Sequence, residues 1–207
     1  MPKLQSMSAR ISYFVNGITI WRILAAPLVI YLAFRHDLSL FKWFLALSFL
    51  TDAVDGYLAR RYKVTSKRGA VLDSVGDDLT VLAGITGIFV FKLDFIRHQL
   101  PLVIIMTSFF ILQVSLALIR YHKMSAFHTW LAKMAAVLQG LFLIFLFFLP
   151  QPLYLLFYVT ASVTILDLAE EIVLVILLPE WKENVKGIYW VWKGLGPRPL
   201  RPRTPRR

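Results

Sequence analysis

Four aspartates stand inside long apolar stretches: Asp52 and Asp55 three residues apart, then Asp73 and Asp77 four apart. A helix turns ~100° per residue, so Asp52 and Asp55 fall ~60° apart on one face, beside Gly56 and Ala59. Asp73 and Asp77 fall ~40° apart on the next helix. The stretch between them is short and basic (Arg60, Arg61, Lys63, Lys67, Arg68), which makes the two helices antiparallel neighbours and lets the pairs face one another. A charged side chain at membrane depth costs at least ~2.5 kcal/mol, so each of these acids is a functional candidate. Four carboxylates at close quarters repel unless cations neutralise them. Hard divalent ions, Mg²⁺ or Mn²⁺, suit an all-oxygen ligand set. Helix capping or pairing with Arg60, Arg61 or Arg68 accounts for one buried aspartate more readily than for four in register. Asp78 turns ~100° away from Asp77 and is expected to cap or form a salt bridge.

The elements that must position these acids belong to a membrane protein. Of the 207 residues 58% are hydrophobic and 17% charged, and mean hydropathy is +0.66. Lipid is the main solvent for such a chain. Cysteine is absent, which excludes disulfides, thiolate metal sites and a thiol nucleophile. Six runs match the ~20 residues of a spanning helix: 17–34, 39–60, 70–91, 101–120, 129–149 and 153–178. Strand-like alternation is missing, so the fold class is all-α, a polytopic six-transmembrane-helix bundle. Pro101, Pro150 and Pro152 lie at run ends, and Leu149 to Leu153 reads as a tight hairpin.

The formal net charge of +11 gathers between the runs and at the C-terminus. That pattern follows the positive-inside rule and excludes nucleic acid as a partner, since no groove-reading motif or stacking platform accompanies it. Both termini and the aspartates are therefore expected on the cytoplasmic side of a bacterial inner membrane. No cleavable signal peptide is evident. Residues 1–14 read as a short interfacial helix with Leu4, Met7, Ile11 and Phe14 on one side. Residues 1–180 form the membrane domain. Residues 181–207 comprise an interfacial segment with Trp181, Tyr189, Trp190 and Trp192, then a proline-broken basic tail expected to be disordered and drawn to anionic membrane lipids.

These residues resemble, position for position, the signature D-x2-D-G-x2-A-R-x8-G-x3-D-x3-D of the CDP-alcohol phosphotransferase family. Here Asp52, Asp55, Gly56, Ala59, Arg60, Gly69, Asp73 and Asp77 fill it. The similarity extends to six spans and to the entry Asn16-Gly17-Ile18-Thr19-Ile20-Trp21-Arg22, over about residues 10–180. The resemblance implies that Asp52, Asp55 and Asp73 ligate two divalent ions, with Asp77 beside the metals as the base. It also implies that Gly56, Ala59, Arg60 and Gly69 surround the CDP moiety, that CMP leaves, and that the protein is a homodimer.

The second half is expected to bind the acceptor alcohol. Arg120, His122, Lys123, His128 and Lys133 cluster where the fourth and fifth runs meet, and a basic pocket suits a phosphorylated alcohol. An ordinary positive-inside loop is the alternative, least so for Lys133, which lies about one turn inside its span. Among family members the chain is most similar to phosphatidylglycerophosphate synthases, with CDP-diacylglycerol as donor and glycerol 3-phosphate as acceptor. Leu112 and Gln113 depart from the Arg-Glu pair usual there. Inositol, inositol phosphate, another polyol, or a CDP-choline type of donor stay open. Asp167, Glu170 and Glu171 in the sixth run either bind a polyol or pair with Lys133 or Arg22. A cation transporter is the competing class, but the acids gather at one interface and no internal repeat is visible.

Overall fold

The computed structural model describes residues 2–62, 67–123, 127, 129–181 and 185–193, with the side chains of 2–16, 59, 60, 67–71 and 74 outside the description. Helices carry the chain: α1 (Pro2–Phe34), α2 (Leu38–Tyr62), α3 (Lys67–Phe91), α4 (Leu93–His98), α5 (Leu100–Tyr121), α6 (Trp130–Phe148), α7 (Tyr154–Leu177) and α8 (Ile188–Trp192). No strand occurs among the described residues. Five expected runs match helices to within about three residues at either end. The first does not: the separate N-terminal helix expected over 1–14 is continuous with the span that follows. A lone glycine costs a helix only ~1 kcal/mol, so Gly17 does not break α1.

Gly17–Phe34 of α1, Leu100–Tyr121 and Trp130–Phe148 are long and apolar enough to cross a membrane. Helices α2, α3 and α7, at 25, 25 and 24 residues, match them in length. At 1.5 Å per residue each exceeds the ~30 Å hydrocarbon. These three carry the acids Asp52, Asp55, Asp73, Asp77, Asp167, Glu170 and Glu171, which dilutes their apolar character.

The chain divides into two compact units, residues 1–98 with 143–152 and residues 99–142 with 153–207. In the first, α1 packs on both α2 and α3, which also touch each other. The α1–α2 turn closes tightly. The Asp37 N–H donates to Leu32 O at 3.1 Å and the His36 N–H to Ala33 O at 2.8 Å, with His36 left-handed at φ 56°. This is the Schellman closure of a helix end, with histidine where glycine is usual. Asp37 Oδ1 then accepts from Leu40 N–H at 3.0 Å and caps α2. Val29, Leu32 and Ala33 of α1 bury against Phe41 and Leu45, Ala83, Leu143 and Phe147. Phe41 meets the rings of Phe91 and Phe147 at 5.2 and 4.9 Å, and a Cβ on Gly87 would overlap the Phe41 ring. Glycine is required there so that α3 can approach an aromatic plug.

In the second unit α5 packs along α7. The Tyr121 hydroxyl donates to Val175 O and Leu178 O at 3.0 and 2.8 Å, and Arg120 Nε donates to Leu178 O at 3.2 Å. These bonds satisfy carbonyls that the end of α7 leaves open. Thr129 caps α6, its Oγ1 accepting from Ala132 N–H at 3.0 Å.

Candidate metal centre

In the first unit the three-helix packing brings Thr19 and Arg22 of α1, Asp52 and Asp55 of α2, and Asp73 and Asp77 of α3 to one place. Thr19 and Arg22 lie three residues apart and so share the inward face of α1. The Arg22 side chain is fully buried among the carboxylates. Its Nη1 donates to Asp52 Oδ1 and, at 3.0 Å, to Asp77 Oδ1. Its Nη2 donates to Asp73 Oδ1 at 2.8 Å and stands 3.9 Å from Asp55 Oδ2. Thr19 Oγ1 donates to Asp55 Oδ2 at 3.2 Å. A Cβ on Gly76 would stand 3.1 Å from Arg22 Nη2, so the glycine leaves α3 open to the guanidinium.

The four carboxylates differ in access. The Asp55 side chain is 2% exposed, against 39% for Asp52, 41% for Asp73 and 48% for Asp77. Among the described residues two buried side-chain atoms have no hydrogen-bond partner, Asp55 Oδ1 and Arg22 Nε. An unsatisfied carboxylate oxygen in a dry site is costly unless a cation visits it. Oxygens of Asp52, Asp55 and Asp73 lie within 4.8 Å of one another. Oxygens around one octahedral ion with ~2.1–2.4 Å bonds are ~3–4.8 Å apart, so this spacing suits a hard divalent ion. Acid outnumbers base here, and the donors are hard oxygens, which is the chemistry of those ions.

The expected aspartates are thus brought together, and Asp78 is exposed. Gly56 is half-buried in α2. Ala59 and Arg60 lie in α2 and Gly69 in α3, with their side chains outside the described residues, as are Lys63 and His128. Arg120, Lys123 and Lys133 lie in the second unit, all exposed. Lys123 Nζ sits 5.0 Å from the Trp181 ring centroid and Lys133 Nζ 5.2 Å from that of Trp130. Each cation therefore has a local partner.

The acids of α7 accept from neutral donors within the second unit. Glu171 Oε2 accepts from Gln113 Nε2 at 2.7 Å, and Asp167 Oδ1 accepts from Thr129 Oγ1 at 3.4 Å. Glu170 Oε1 accepts from the Ile188 N–H at 3.0 Å. That last bond ties the aromatic segment of α8 to α7, at a turn where Gly187 has φ 142°.

A family model described as CDP-alcohol phosphatidyltransferase matches residues 13–176. A CDP-diacylglycerol–glycerol-3-phosphate 3-phosphatidyltransferase of Rickettsia felis is 33% identical over 128 residues, 60% of this chain and 68% of that protein. One of the same name in Cereibacter sphaeroides is 41% identical over 73 residues, 32% of each chain. A CDP-diacylglycerol–inositol 3-phosphatidyltransferase of Saccharomyces cerevisiae is 40% identical over 65 residues, 31% of this chain and 29% of that protein. No solved structure matches.

Proposed function

Because the chain belongs to the CDP-alcohol phosphatidyltransferase family, we propose that this membrane transferase moves a phosphatidyl group from CDP-diacylglycerol onto glycerol 3-phosphate, releasing CMP. The observation that carries the proposal is the convergence of Asp52, Asp55, Asp73 and Asp77 on one buried point. Relatives in Rickettsia felis and Cereibacter sphaeroides named for glycerol 3-phosphate support the acceptor.

Asp52, Asp55 and Asp73 would hold two divalent ions, Mg²⁺ or Mn²⁺, with Asp77 beside them. Such ions, when bound, neutralise and polarise the diphosphate. Asp77 has the most open side chain of the four, and its carboxylate takes the proton of the acceptor hydroxyl. The hydroxyl oxygen forms a bond to the phosphorus that carries diacylglycerol. The bond from that phosphorus to the bridging oxygen breaks, and CMP leaves with the electron pair. Asp55 is closed to solvent, so a hydroxyl cannot reach it, and it serves as ligand alone. Gly56, Ala59, Arg60 and Gly69 surround the CDP moiety, and Arg120, Lys123 and Lys133 bind the acceptor phosphate.

The proposal takes residues 1–180 as one membrane domain with six spans, in α1, α2, α3, α5, α6 and α7. Residues 181–207 comprise an interfacial segment and a basic tail, of which 182–184 and 194–207 lie outside the described residues; the protein is a homodimer, and the aspartates open to the cytoplasm of a bacterium. The basic loops support this orientation. Labelling of a cysteine at position 151 from the cytoplasmic side would overturn it.

Inositol is the second acceptor to weigh, because of the yeast relative and because Leu112 and Gln113 stand where glycerophosphate enzymes usually carry an Arg-Glu pair, with Gln113 bonded instead to Glu171. The test is product identification with CDP-diacylglycerol and each of glycerol 3-phosphate, inositol and inositol phosphate. Phosphatidylglycerophosphate as the main product supports the proposal, and phosphatidylinositol as the main product overturns its acceptor.

A further inference from the structure

We infer that Arg22 is a resident cation that holds the four aspartates in register before metal arrives and then competes with metal for their oxygens. The inference rests on the metal-site proposal above. Arg22 reaches Asp52 on α2 and Asp73 and Asp77 on α3 from a third helix, α1. Among the described residues it pairs with all four of these acids. Without it the repulsion among these carboxylates would rise, pushing α2 and α3 apart.

The carboxylates it holds belong to the ligand set itself. Asp52 Oδ1 and Asp73 Oδ1 take guanidinium N–H bonds, and Asp52, Asp55 and Asp73 are the acids whose oxygens gather closely enough for an ion. A divalent cation at those oxygens must weaken the arginine bonds, because the two positive groups claim the same lone pairs and repel. The fork is also incompletely used. Arg22 Nε is buried with no partner, although a planar guanidinium offers five donors and buried ones are ordinarily satisfied. Gly76 gives the guanidinium its room, with Nη2 only 3.1 Å from where a Cβ would sit.

A purely structural arginine and a competing one predict opposite signs. If Arg22 only props up the site, replacing it loosens the carboxylates and weakens metal binding. If it competes, replacing it strengthens metal binding while destabilising the metal-free protein. The experiment is Mn²⁺ titration of the full-length protein in detergent without donor, read by the electron paramagnetic resonance of free Mn²⁺, beside thermal unfolding in EDTA. Arg22→Gln should bind Mn²⁺ ~10-fold or more tightly than the parent, the size of one charge-assisted bond set removed. Its unfolding temperature should fall in EDTA and recover with Mn²⁺. Unchanged or weaker Mn²⁺ binding overturns the inference. Should Arg22→Gln fail to fold, Gly76→Ala carries the test, since a methyl 3.1 Å from Nη2 makes the guanidinium give by a few tenths of an ångström and leaves every charge in place. Tighter binding in that variant supports the inference, and unchanged or weaker binding overturns it. If the parent shows no saturable Mn²⁺ binding that Asp73→Asn alters, the metal-site proposal falls and takes this inference with it.

Discussion

Arg22 and Asp55 are both buried, stand 3.9 Å apart, and each keeps one atom without a hydrogen bond, Nε on the arginine and Oδ1 on the aspartate. A finished structural ion pair would satisfy both. Asp55→Asn should therefore weaken Mn²⁺ binding by at least ~10-fold, because affinity follows the charge of the ligands, and turnover should fall with it. The amide oxygen can still accept from Thr19, so the fold should survive. A metal titration beside a CMP-release assay checks this, and undiminished Mn²⁺ affinity would remove Asp55 from the ligand set.

Asp77 and Asp78 are adjacent in sequence and differ in their surroundings. Asp77 bonds to Arg22, whereas Asp78 is exposed and makes no ion pair among the described residues. Asp77→Asn should lower kcat by ~10²–10⁴, the usual contribution of a positioned base, with much smaller change in metal affinity. Asp78→Asn should keep kcat within ~3-fold, as a surface change away from the chemistry does. The reverse ranking in steady-state rates would refute the assignment of Asp77 as base.

How much of this was legible in the sequence depends on whether a residue acts within one helix or between helices. The spacing of Asp52, Asp55, Asp73 and Asp77 sets their faces, so their convergence follows from helical period and one short loop. The extents of α2, α3, α5, α6 and α7 follow from apolar length. Arg22 was visible as a residue of the first span, and its partner was not. It was weighed as a partner for the α7 acids, because only three-dimensional packing of α1 on both α2 and α3 decides which carboxylates it meets. Glu170 likewise carries no local sign that it will bind the Ile188 N–H. The cations of the second half were read as one cluster, whereas Lys123 and Lys133 lie against the aromatic rings of Trp181 and Trp130.

The aromatic plug at the other end of the first unit should be separable from the metal centre. Gly87→Ala puts a methyl into the Phe41 ring, which is fully buried between Phe91 and Phe147. Overpacking of this kind costs ~1–3 kcal/mol. Thermal unfolding in detergent should show the loss, with Mn²⁺ affinity within ~2-fold of the parent because distant sites act independently. A large change in Mn²⁺ affinity would mean the two ends are coupled.

The acceptor assignment predicts a split in kinetic constants. Arg120→Ala and Lys133→Ala should each raise KM for glycerol 3-phosphate by ~10-fold, the scale of one charge-assisted phosphate contact. KM for CDP-diacylglycerol should stay unchanged. Initial rates with each substrate varied in turn decide it, and equal effects on both constants would remove these residues from the acceptor site.

The central claim is that four aspartates assemble a divalent-metal centre that drives phosphatidyl transfer. Its most direct measurement is CMP release by the purified full-length protein given CDP-diacylglycerol and glycerol 3-phosphate, first in excess EDTA and then after Mg²⁺ or Mn²⁺ is restored. The account predicts no turnover under chelation, recovery with either ion, and no recovery in Asp52→Asn or Asp73→Asn at metal concentrations that saturate the parent. Full CMP release in excess EDTA would contradict it.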